Sequence, residues 1–293
     1  MTVNGTDTPD RLITGVEERR PALIEVIRQA QRQITLSLFR CNDDEVLDEL
    51  AAAVGRGVAV DVLVTSRAKG GKKKIEKLWR ALEKTGATVR AYTDPVVKYH
   101  AKYLIADDGP AVVASLNFTK KCFSKTCDAL VVTHDPAVVS GLRRLWAADC
   151  SEAAIPDDLA DRLVVGPERA RRQLTALVEQ ARTSIRLIDA KLSDPDLVSV
   201  LKARRDAGLE VEVFSAKRLG ALKSHGKVML IDDRTVVVGS LALTALSLDF
   251  RREVAIVVNE PAAVSEAVAL FDAVRAASRA GRETSGAAGE ASC

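Results

Sequence analysis

The sequence predicts an α/β fold made of two pseudo-symmetric halves, each a mixed β-sheet flanked by helices. Three observations lead to this prediction. Strand-like and helix-like hydrophobic patterns alternate along most of the 293 residues. The stretch from His100 to Asn117 recurs 125 residues later, starting at His225, and the segment 11–15 recurs 151 residues later as segment 162–166. Because both the elements and their order repeat, we infer an internal duplication.

The elements of the first half follow from hydrophobic spacing and from residues that cap helices. Leu23, Ile24 and Ile27 recur at helical spacing, for example, and predict a helix over residues 17–30. The predicted elements are, in order, an extended segment at 11–15, this helix, a strand at 34–39, a helix capped by Asn42 or Asp43 and ended by Gly55 to Gly57, a strand at 58–64, an amphipathic helix at 72–85 and a strand at 89–92.

A hairpin is predicted next, with strands at 98–106 and 111–114 joined by a polar turn at 107–110. Side chains alternate along a strand, so His100 and Lys102 should project from the same side. Asp107 has the opposite parity and lies in the turn, where holding backbone amides suits it better than direct chemistry. A strand at 129–133 and a helix from Pro136 to Trp146 complete this half.

The second half repeats this order with one deletion. The offset between equivalent positions falls from 151 to 125, so 26 residues are missing between Val213 and His225. They correspond to the lysine-rich helix and the following strand of the first half. The predicted halves are residues 1–154 and 155–280, and the small, polar segment 281–293 is predicted to be disordered.

Composition limits the location and the chemistry of the protein. A net charge of +3 is compatible with an anionic substrate, and the sequence has neither a signal-peptide pattern nor an apolar run of membrane-spanning length. Its five cysteines follow no disulfide or metal-ligand spacing. Cys122 and Cys127 could be metal ligands, but without a Cys or His cluster nearby they are interpreted as small buried hydrophobic residues. We expect a cytoplasmic protein, with peripheral attachment to a membrane as a further option.

The repeated stretch concentrates side chains that bind and transfer phosphate. The candidate catalytic residues are His100, Lys102, Asp107 and Asp128 in the first copy and His225, Lys227, Asp232 and Glu253 in the second, and the candidate substrate-binding residues are Ser115, Asn117 and Ser240. A single His-x-Lys on a strand is commonly a solvated pair. Two copies at one offset, each followed by a carboxylate, favour a catalytic or phosphate-binding site.

These residues resemble the phospholipase D superfamily, whose signature is His-x-Lys-(x4)-Asp followed by a Gly-Ser-x-Asn-like stretch. Both copies match the first part without a gap, whereas Ala114 replaces the glycine in one copy and Ala242 replaces the asparagine in the other. The resemblance implies a single active site between the halves, to which each half contributes one histidine. One chain is then sufficient for activity.

The resemblance also implies a role for each residue. His100 is expected to attack phosphorus and form a phosphohistidine, while His225 acts as the general acid and then the general base. Lys102, Lys227, Ser115, Ser240 and Asn117 are expected to contact the non-bridging oxygens, and Asp128 and Glu253 to orient the imidazoles. No metal or other cofactor is expected, and His134 is interpreted as a residue at a helix start.

Three functions remain open from the sequence. The first is a metal-independent enzyme that cleaves or exchanges the headgroup of a phospholipid at a membrane surface. The second is a nuclease for single-stranded DNA or RNA, and the third is a non-catalytic phosphate-binding module. The basic residues peculiar to the first half fit either nucleic acid or anionic lipid; they are Arg67, Lys69, Lys72, Lys73, Lys74, Lys77, Arg80 and Lys84. Scarce aromatic residues favour lipid.

Overall fold

The structure, a computed structural model, describes residues 9–67 and 72–290, with side chains up to residue 279, so Lys69 lies outside the described residues. The first half contains β1 (Arg11–Ile13), α1 (Val16–Gln29), β2 (Gln33–Leu38), α2 (Asp44–Gly55), β3 (Ala59–Thr65), α3 (Lys72–Glu83), β4 (Thr88–Tyr92), β5 (Lys98–Tyr99), β6 (Tyr103–Ala106), β7 (Ala111–Ala114), α4 (Lys120–Ser124), β8 (Thr126–Cys127), β9 (Leu130–Thr133) and α5 (Pro136–Ser151). Its sheet has the order β1-β9-β7-β6-β2-β3-β4, with β2, β3 and β4 parallel.

The second half contains β10 (Leu163–Gly166), α6 (Ala170–Gln180), β11 (Ser184–Ile188), α7 (Pro195–Asp206), β12 (Glu210–Phe214), β13 (Arg218–Leu219), β14 (Leu222–Ser224), β15 (Val228–Ile231), β16 (Thr235–Gly239), α8 (Ala245–Phe250), β17 (Arg251–Val258) and α9 (Pro261–Glu290). Its main sheet has the order β10-β17-β16-β15-β11-β12. The order matches that of the first sheet except that β4 has no counterpart, as the 26-residue deletion predicts. The predicted α/β fold of two similar halves is confirmed.

The duplication extends to the residues that start the helices. The carboxylate of Asp43 caps α2, and the carboxylate of Asp194, which lies 151 positions later, caps α7. Each carboxylate also accepts hydrogen bonds from an arginine in the preceding helix, Arg20 in one half and Arg171 in the other. These caps fix where the chain turns after β2 and β11, at the rim of each sheet.

Over the described residues, the core consists of three apolar clusters. One lies within the first half and another within the second. The third contains residues of both halves, among them Tyr103 and Val113 from one and Val238, Ile256 and Phe271 from the other, all fully buried or nearly so. A shared apolar core of this kind holds the halves in a fixed relative position.

The predicted strand at 98–106 is wrong in one respect, because residues 100–102 belong to no strand. β5 pairs with β17 of the other half, with Lys98 opposite Arg251, whereas β6 pairs with β2 and β7 of its own half. The chain therefore crosses between the halves at His100. An equivalent crossing occurs at His225, because β14 pairs with β8 just before it.

The end of the chain differs from the prediction as well. Helix α9 runs to Glu290, so residues 281–290 are helical where the small, polar composition predicted disorder, and residues 291–293 lie outside the described residues. Alanine, arginine and glutamate in this segment favour continuation of the preceding helix. Over the ranges that the structure describes, no helix is both long and apolar enough to cross a bilayer.

Candidate active site

Each histidine of the repeated motif contacts a carboxylate of the opposite half. His100 Nδ1 lies 3.1 Å from Oε2 of Glu253, and His225 Nδ1 lies 3.0 Å from both carboxylate oxygens of Asp128. Both carboxylate side chains are completely buried, whereas the imidazoles are 15% and 31% exposed, respectively. A carboxylate at Nδ1 favours the tautomer that carries its proton there, which leaves the Nε2 lone pair available.

The crossed pairing follows from the two strand crossings. Lys98–Tyr99 pairs with Arg251–Arg252, and His100 and Glu253 are the residues that directly follow these two segments in the chain. Lys223–Ser224 pairs with Thr126–Cys127 in the same way, just before His225 and Asp128. At the offset of 125, segment 98–99 corresponds to segment 223–224, and segment 126–127 corresponds to segment 251–252. The repeat therefore builds the same histidine–carboxylate pair twice, and each pair needs both halves.

The two lysines of the motif lie beside the histidines. Lys102 is buried, and its Nζ lies 3.1 Å from Nδ1 and 3.4 Å from Nε2 of His100, where it also donates to the His100 carbonyl oxygen at 2.6 Å. Lys227 donates to the carbonyl oxygen of His225. Burial and, to a smaller extent, the charge of Lys227 lower the pKa of Lys102. The site thus offers two cations and two imidazoles to an anionic group.

Burial and charge determine the protonation of the first pair. Burial lowers the pKa of His100 to about 3, and the Lys102 ammonium acts in the same direction against the opposing Glu253. Burial by itself would raise the pKa of Glu253. The positive charge of protonated His100, and the hydrogen bond that its ring donates to the carboxylate, instead lower this pKa to about 2. Burial lowers the pKa of Lys102 to about 7. Near neutral pH, His100 is a neutral imidazole beside a carboxylate anion.

In the second pair, the carboxylate is held in its charged form. Burial by itself would raise the pKa of Asp128. The charge of His225, the hydrogen bond that His225 donates and the charge of Lys227 together lower this pKa. The hydroxyls of Ser115 and Thr126 donate to its two oxygens, at 2.7 and 2.5 Å. Three side chains, those of Ser115, Thr126 and His225, therefore hold the carboxylate of Asp128 in position.

The three predicted substrate-binding residues have different surroundings. Ser115 and Ser240 are buried and their hydroxyls are used inside the protein, by donation to Asp128 in one copy and to the Val254 carbonyl oxygen in the other. This differs from the predicted contact with substrate. Asn117 lines a groove next to the site, and its buried Oδ1 has no hydrogen-bond partner among the described residues. Of the three, Asn117 is the one that the structure leaves available to a ligand.

Asp107 and Asp232 do not join the site, although they belong to the motif. Asp107 lies at the far end of β6 from His100, where its carboxylate accepts hydrogen bonds from the backbone amides of residues 31–33. Asp232 does the same for the amides of residues 182–184. Both have positive φ angles, 45° and 54°, within the turn. Their position is that of a structural clamp, as the parity of Asp107 indicated, and not of a catalytic group.

Sequence reasoning missed several residues that support the site. Ser247 donates to Glu253 at 2.7 Å, and its equivalent 125 positions earlier is Cys122. The sulfur of Cys122 lies within 4.8 Å of ligand atoms of both Asp128 and His225. The earlier interpretation of Cys122 as a mere space-filling residue is therefore incomplete. The 125-residue offset, applied beyond the motif itself, pairs Cys122 with Ser247 and could have drawn attention to both.

A groove of about 780 Å³ opens beside His225. Its apolar lining comes mainly from α2, α3 and the segment after β2, and consists of Phe39, Cys41, Leu47, Ile75, Leu78, Ala81 and Cys122. Cations from α3, α4 and their neighbours line it too, namely Arg40, Lys74, Lys77, Lys120 and Lys121. Phe39, which lines the groove, packs its ring 4.5 Å from that of His100.

Comparisons with known proteins agree with this architecture. The family described as cardiolipin synthase, PLD-like domain, matches residues 23–149 and 217–275. The chain is 24% identical over 321 aligned positions to cardiolipin synthase B of Escherichia coli K12, which covers 85% of this chain and 76% of that protein.

Solved structures share the fold at low sequence identity. Polyphosphate kinase from Porphyromonas gingivalis matches 90% of this chain with a TM-score of 0.70 and 19% identity, and the chain spans 50% of that kinase. Phosphatidylserine synthase from Haemophilus influenzae Rd KW20 matches 91% of this chain and 86% of its own, with a TM-score of 0.68 and 12% identity. The family match covers more than half of the chain and includes both histidine motifs, so this chain belongs to the phospholipase D superfamily of phosphodiesterase and phosphatidyltransferase enzymes.

Proposed function

We propose that this chain is a metal-independent phosphodiesterase of the phospholipase D type, which cleaves or exchanges the headgroup of a phospholipid through a phosphohistidine. The observation that carries the proposal is the crossed arrangement of His100 with Glu253 and of His225 with Asp128. Two oriented imidazoles with two neighbouring ammonium groups supply a nucleophile, an acid and charge stabilisation for phosphoryl transfer. All these groups come from one chain, so a monomer suffices.

His100 is the proposed nucleophile. Its pKa, lowered by burial to about 3, keeps the imidazole neutral, and Glu253 holds the Nδ1 side. In the first step, Nε2 of His100 bonds to phosphorus while the bond from phosphorus to the leaving alkoxide breaks. Protonated His225, the more exposed of the two imidazoles, gives that alkoxide its proton.

The second step reverses the roles. Neutral His225 takes the proton of an incoming alcohol or water as the oxygen attacks phosphorus, and the bond to His100 breaks. Lys102 and Lys227 stabilise the non-bridging oxygens in both steps. The anionic phosphate favours the charged form of Lys102, whose pKa burial lowers to about 7 in the free protein.

A phospholipid is the proposed substrate class. The groove combines an apolar lining with cations, which suits an acyl chain and an anionic headgroup, and Phe39 is the one aromatic residue among the groove residues of the described chain. A path for single-stranded nucleic acid is expected to offer several stacking surfaces. The names of the relatives, cardiolipin synthase B and phosphatidylserine synthase, refer to phospholipid products and support the same choice.

One experiment tests the substrate class. Purified protein is given vesicles of phosphatidylcholine or phosphatidylglycerol, or single-stranded DNA, without added metal. His100→Asn removes the proposed nucleophile, and His134→Asn, at the exposed third histidine, is the matched control. We expect headgroup release by the wild type and by His134→Asn, and none by His100→Asn. Cleavage of DNA alone would replace the lipid enzyme with a nuclease, and inactivity towards all three would favour a phosphate-binding module.

A second experiment tests the assignment of the nucleophile. Substrate labelled in the phosphoryl group is mixed with enzyme, the reaction is quenched at alkaline pH, and the labelled peptide is identified. We expect label on the peptide that carries His100. Label on His225 would reverse the roles of the two histidines.

A further inference from the structure

We propose that Cys122, Asp128 and His225 form a binding site for a thiophilic divalent cation, such as Zn²⁺, which inhibits the enzyme by holding His225. The binding site itself rests on geometry alone. Inhibition rests additionally on the proposed function, because His225 is the proposed proton carrier.

The three side chains have the positions and the donor atoms of a zinc site. One ligand atom of each, the sulfur of Cys122, an oxygen of Asp128 and a ring nitrogen of His225, lies within 4.8 Å of the other two. Tetrahedral zinc, with bonds of about 2.0–2.3 Å to nitrogen, oxygen and sulfur, separates its ligands by about 3.3–3.8 Å. Side-chain movements of roughly 1 Å close that difference, and the fourth position is left to water.

The duplication makes the cysteine distinctive. At the position equivalent to Cys122 the second copy has Ser247, whose hydroxyl donates to Glu253. Both residues lie in the first turn of a short helix that a threonine caps, Thr119 in one copy and Thr244 in the other. A hydroxyl therefore suffices to support the carboxylate. The thiol adds a soft ligand to the His225 pair alone.

The site is open to a ligand from the groove. Cys122 and His225 both line this groove, so a cation has a path to the sulfur and to the imidazole. Asn117, which is more than nine-tenths buried, lines the same groove, and its Oδ1 has no hydrogen-bond partner in the part of the chain that the structure describes. An unpartnered buried oxygen is a costly feature unless a ligand or water meets it.

Charge both favours and opposes a cation at this site. A thiolate and the Asp128 carboxylate together neutralise a divalent cation, whereas two neighbouring cations oppose it, namely Lys227, which donates to the His225 carbonyl oxygen, and Arg19, which donates to that of Asp128 at 3.3 Å. On binding, the Cys122 thiol proton passes to solvent. The cation binds Nδ1 of His225, the nitrogen that faces Asp128, and the neutral imidazole then carries its one proton on Nε2. Nε2 so protonated cannot accept the proton of an alcohol, and a cation at Nδ1 prevents formation of the imidazolium that donates one.

Cobalt titration tests the site without reference to activity. The full chain, kept reduced, is titrated with Co²⁺, and absorption from thiolate-to-cobalt charge transfer is recorded in the near ultraviolet. We expect a band that saturates at one equivalent and is displaced by Zn²⁺, is lost in Cys122→Ser and in His225→Asn, and persists in the matched Cys150→Ser. Cys122→Ser introduces the residue that the other copy already has, so folding should be retained. A wild type without the band, or a band that survives in Cys122→Ser, would overturn the site.

Zinc inhibition tests the consequence. Each variant's headgroup release is measured with increasing Zn²⁺ and compared with its own rate in the presence of chelator. We expect Cys122→Ser to need about tenfold or more zinc for half-inhibition, since even outer-shell substitutions cost 10–100-fold in metal affinity. A cobalt band without zinc inhibition would overturn the blocking role. If no protein releases headgroup, the proposed function fails while the cobalt titration still decides the site.

Discussion

Each imidazole of the site is positioned by a carboxylate that lies far from it in the sequence. His100 is separated by 153 residues from Glu253, and His225 by 97 residues from Asp128. Both carboxylates are fully buried, so a neutral substitute would leave the imidazole without its orienting partner. At the residue scale, the proposed chemistry therefore depends on two buried carboxylate charges that orient the imidazoles.

Replacement of either carboxylate by its amide tests this dependence. We expect Glu253→Gln to lower kcat/KM for headgroup release by about 100-fold or more, because His100 loses the group that fixes its tautomer. The same variant should slow the covalent labelling of His100, a readout that a purely structural role would not change at equal stability. Glu25→Gln, at an exposed carboxylate, is the control. Labelling at the wild-type rate would contradict the assignment.

Buried His100 also predicts a pH dependence of stability. Its pKa falls from 6.5 to about 3 on folding, so between these values the unfolded chain binds a proton that the folded protein does not. Acidification from pH 6 to pH 5 should then cost about 1 kcal/mol of unfolding free energy through this group. Glu253, whose folded pKa is about 2, contributes stability that is lost only below its unfolded value of 4.5.

Denaturant unfolding at pH 6 and pH 5 measures the effect. The loss of stability between the two values should be smaller in His100→Asn than in the wild type by about 1 kcal/mol, whatever the absolute stability of the variant. Equal losses in both proteins would show that His100 is readily protonated in the fold. That result would remove the basis for assigning it as the neutral nucleophile.

At the scale of elements, the motif aspartates join strands to helices. The carboxylate of Asp107 accepts hydrogen bonds from the backbone amides of residues 31–33, where α1 connects to β2. The carboxylate of Asp232 accepts hydrogen bonds from the amides of residues 182–184, where α6 connects to β11. Each carboxylate ties the turn of the motif hairpin to the start of the neighbouring strand. The aspartates thus tie β6 to β2 and β15 to β11, the pairs that contain the strands just after His100 and His225.

A substitution at Asp107 separates this role from catalysis. Asp107→Asn keeps a residue type that tolerates positive φ. It removes the negative charge of the carboxylate that accepts hydrogen bonds from three backbone amides. We expect a loss of about 1–3 kcal/mol in unfolding free energy and a kcat/KM within roughly threefold of the wild type. The reverse pattern, full stability with a large loss of kcat/KM, would return Asp107 to the catalytic group.

At the scale of the molecule, α3 gives one face of the first half a local excess of positive charge. Its exposed cations include Lys72, Lys73, Lys74 and Lys77, and Lys74 and Lys77 also line the groove. The second half has no equivalent helix. We propose that this face docks on an anionic membrane surface and brings the groove to the lipid.

Vesicle binding tests the docking face. We expect Lys73→Gln with Lys84→Gln to reduce partition onto phosphatidylglycerol vesicles by roughly 30-fold, at about 1 kcal/mol for each cation, and added salt to weaken wild-type binding similarly. Neither lysine lines the groove. Lys202→Gln with Lys217→Gln removes the same charge from exposed positions of the second half and is the matched control. Equal losses from both pairs would assign the binding to net charge alone.

The sequence by itself determined the duplication, the order of helices and strands along each half and the identity of the histidines, lysines and carboxylates, because periodicity and a fixed offset are properties of the linear chain. Only the tertiary structure decided that each histidine pairs with the carboxylate of the opposite half, and that Cys122 joins one pair. These contacts arise where β5 and β14 leave their own half to pair with β17 and β8 of the other. Side-chain alternation within one strand cannot predict such a crossing, since it depends on how the shared apolar core packs the two halves together.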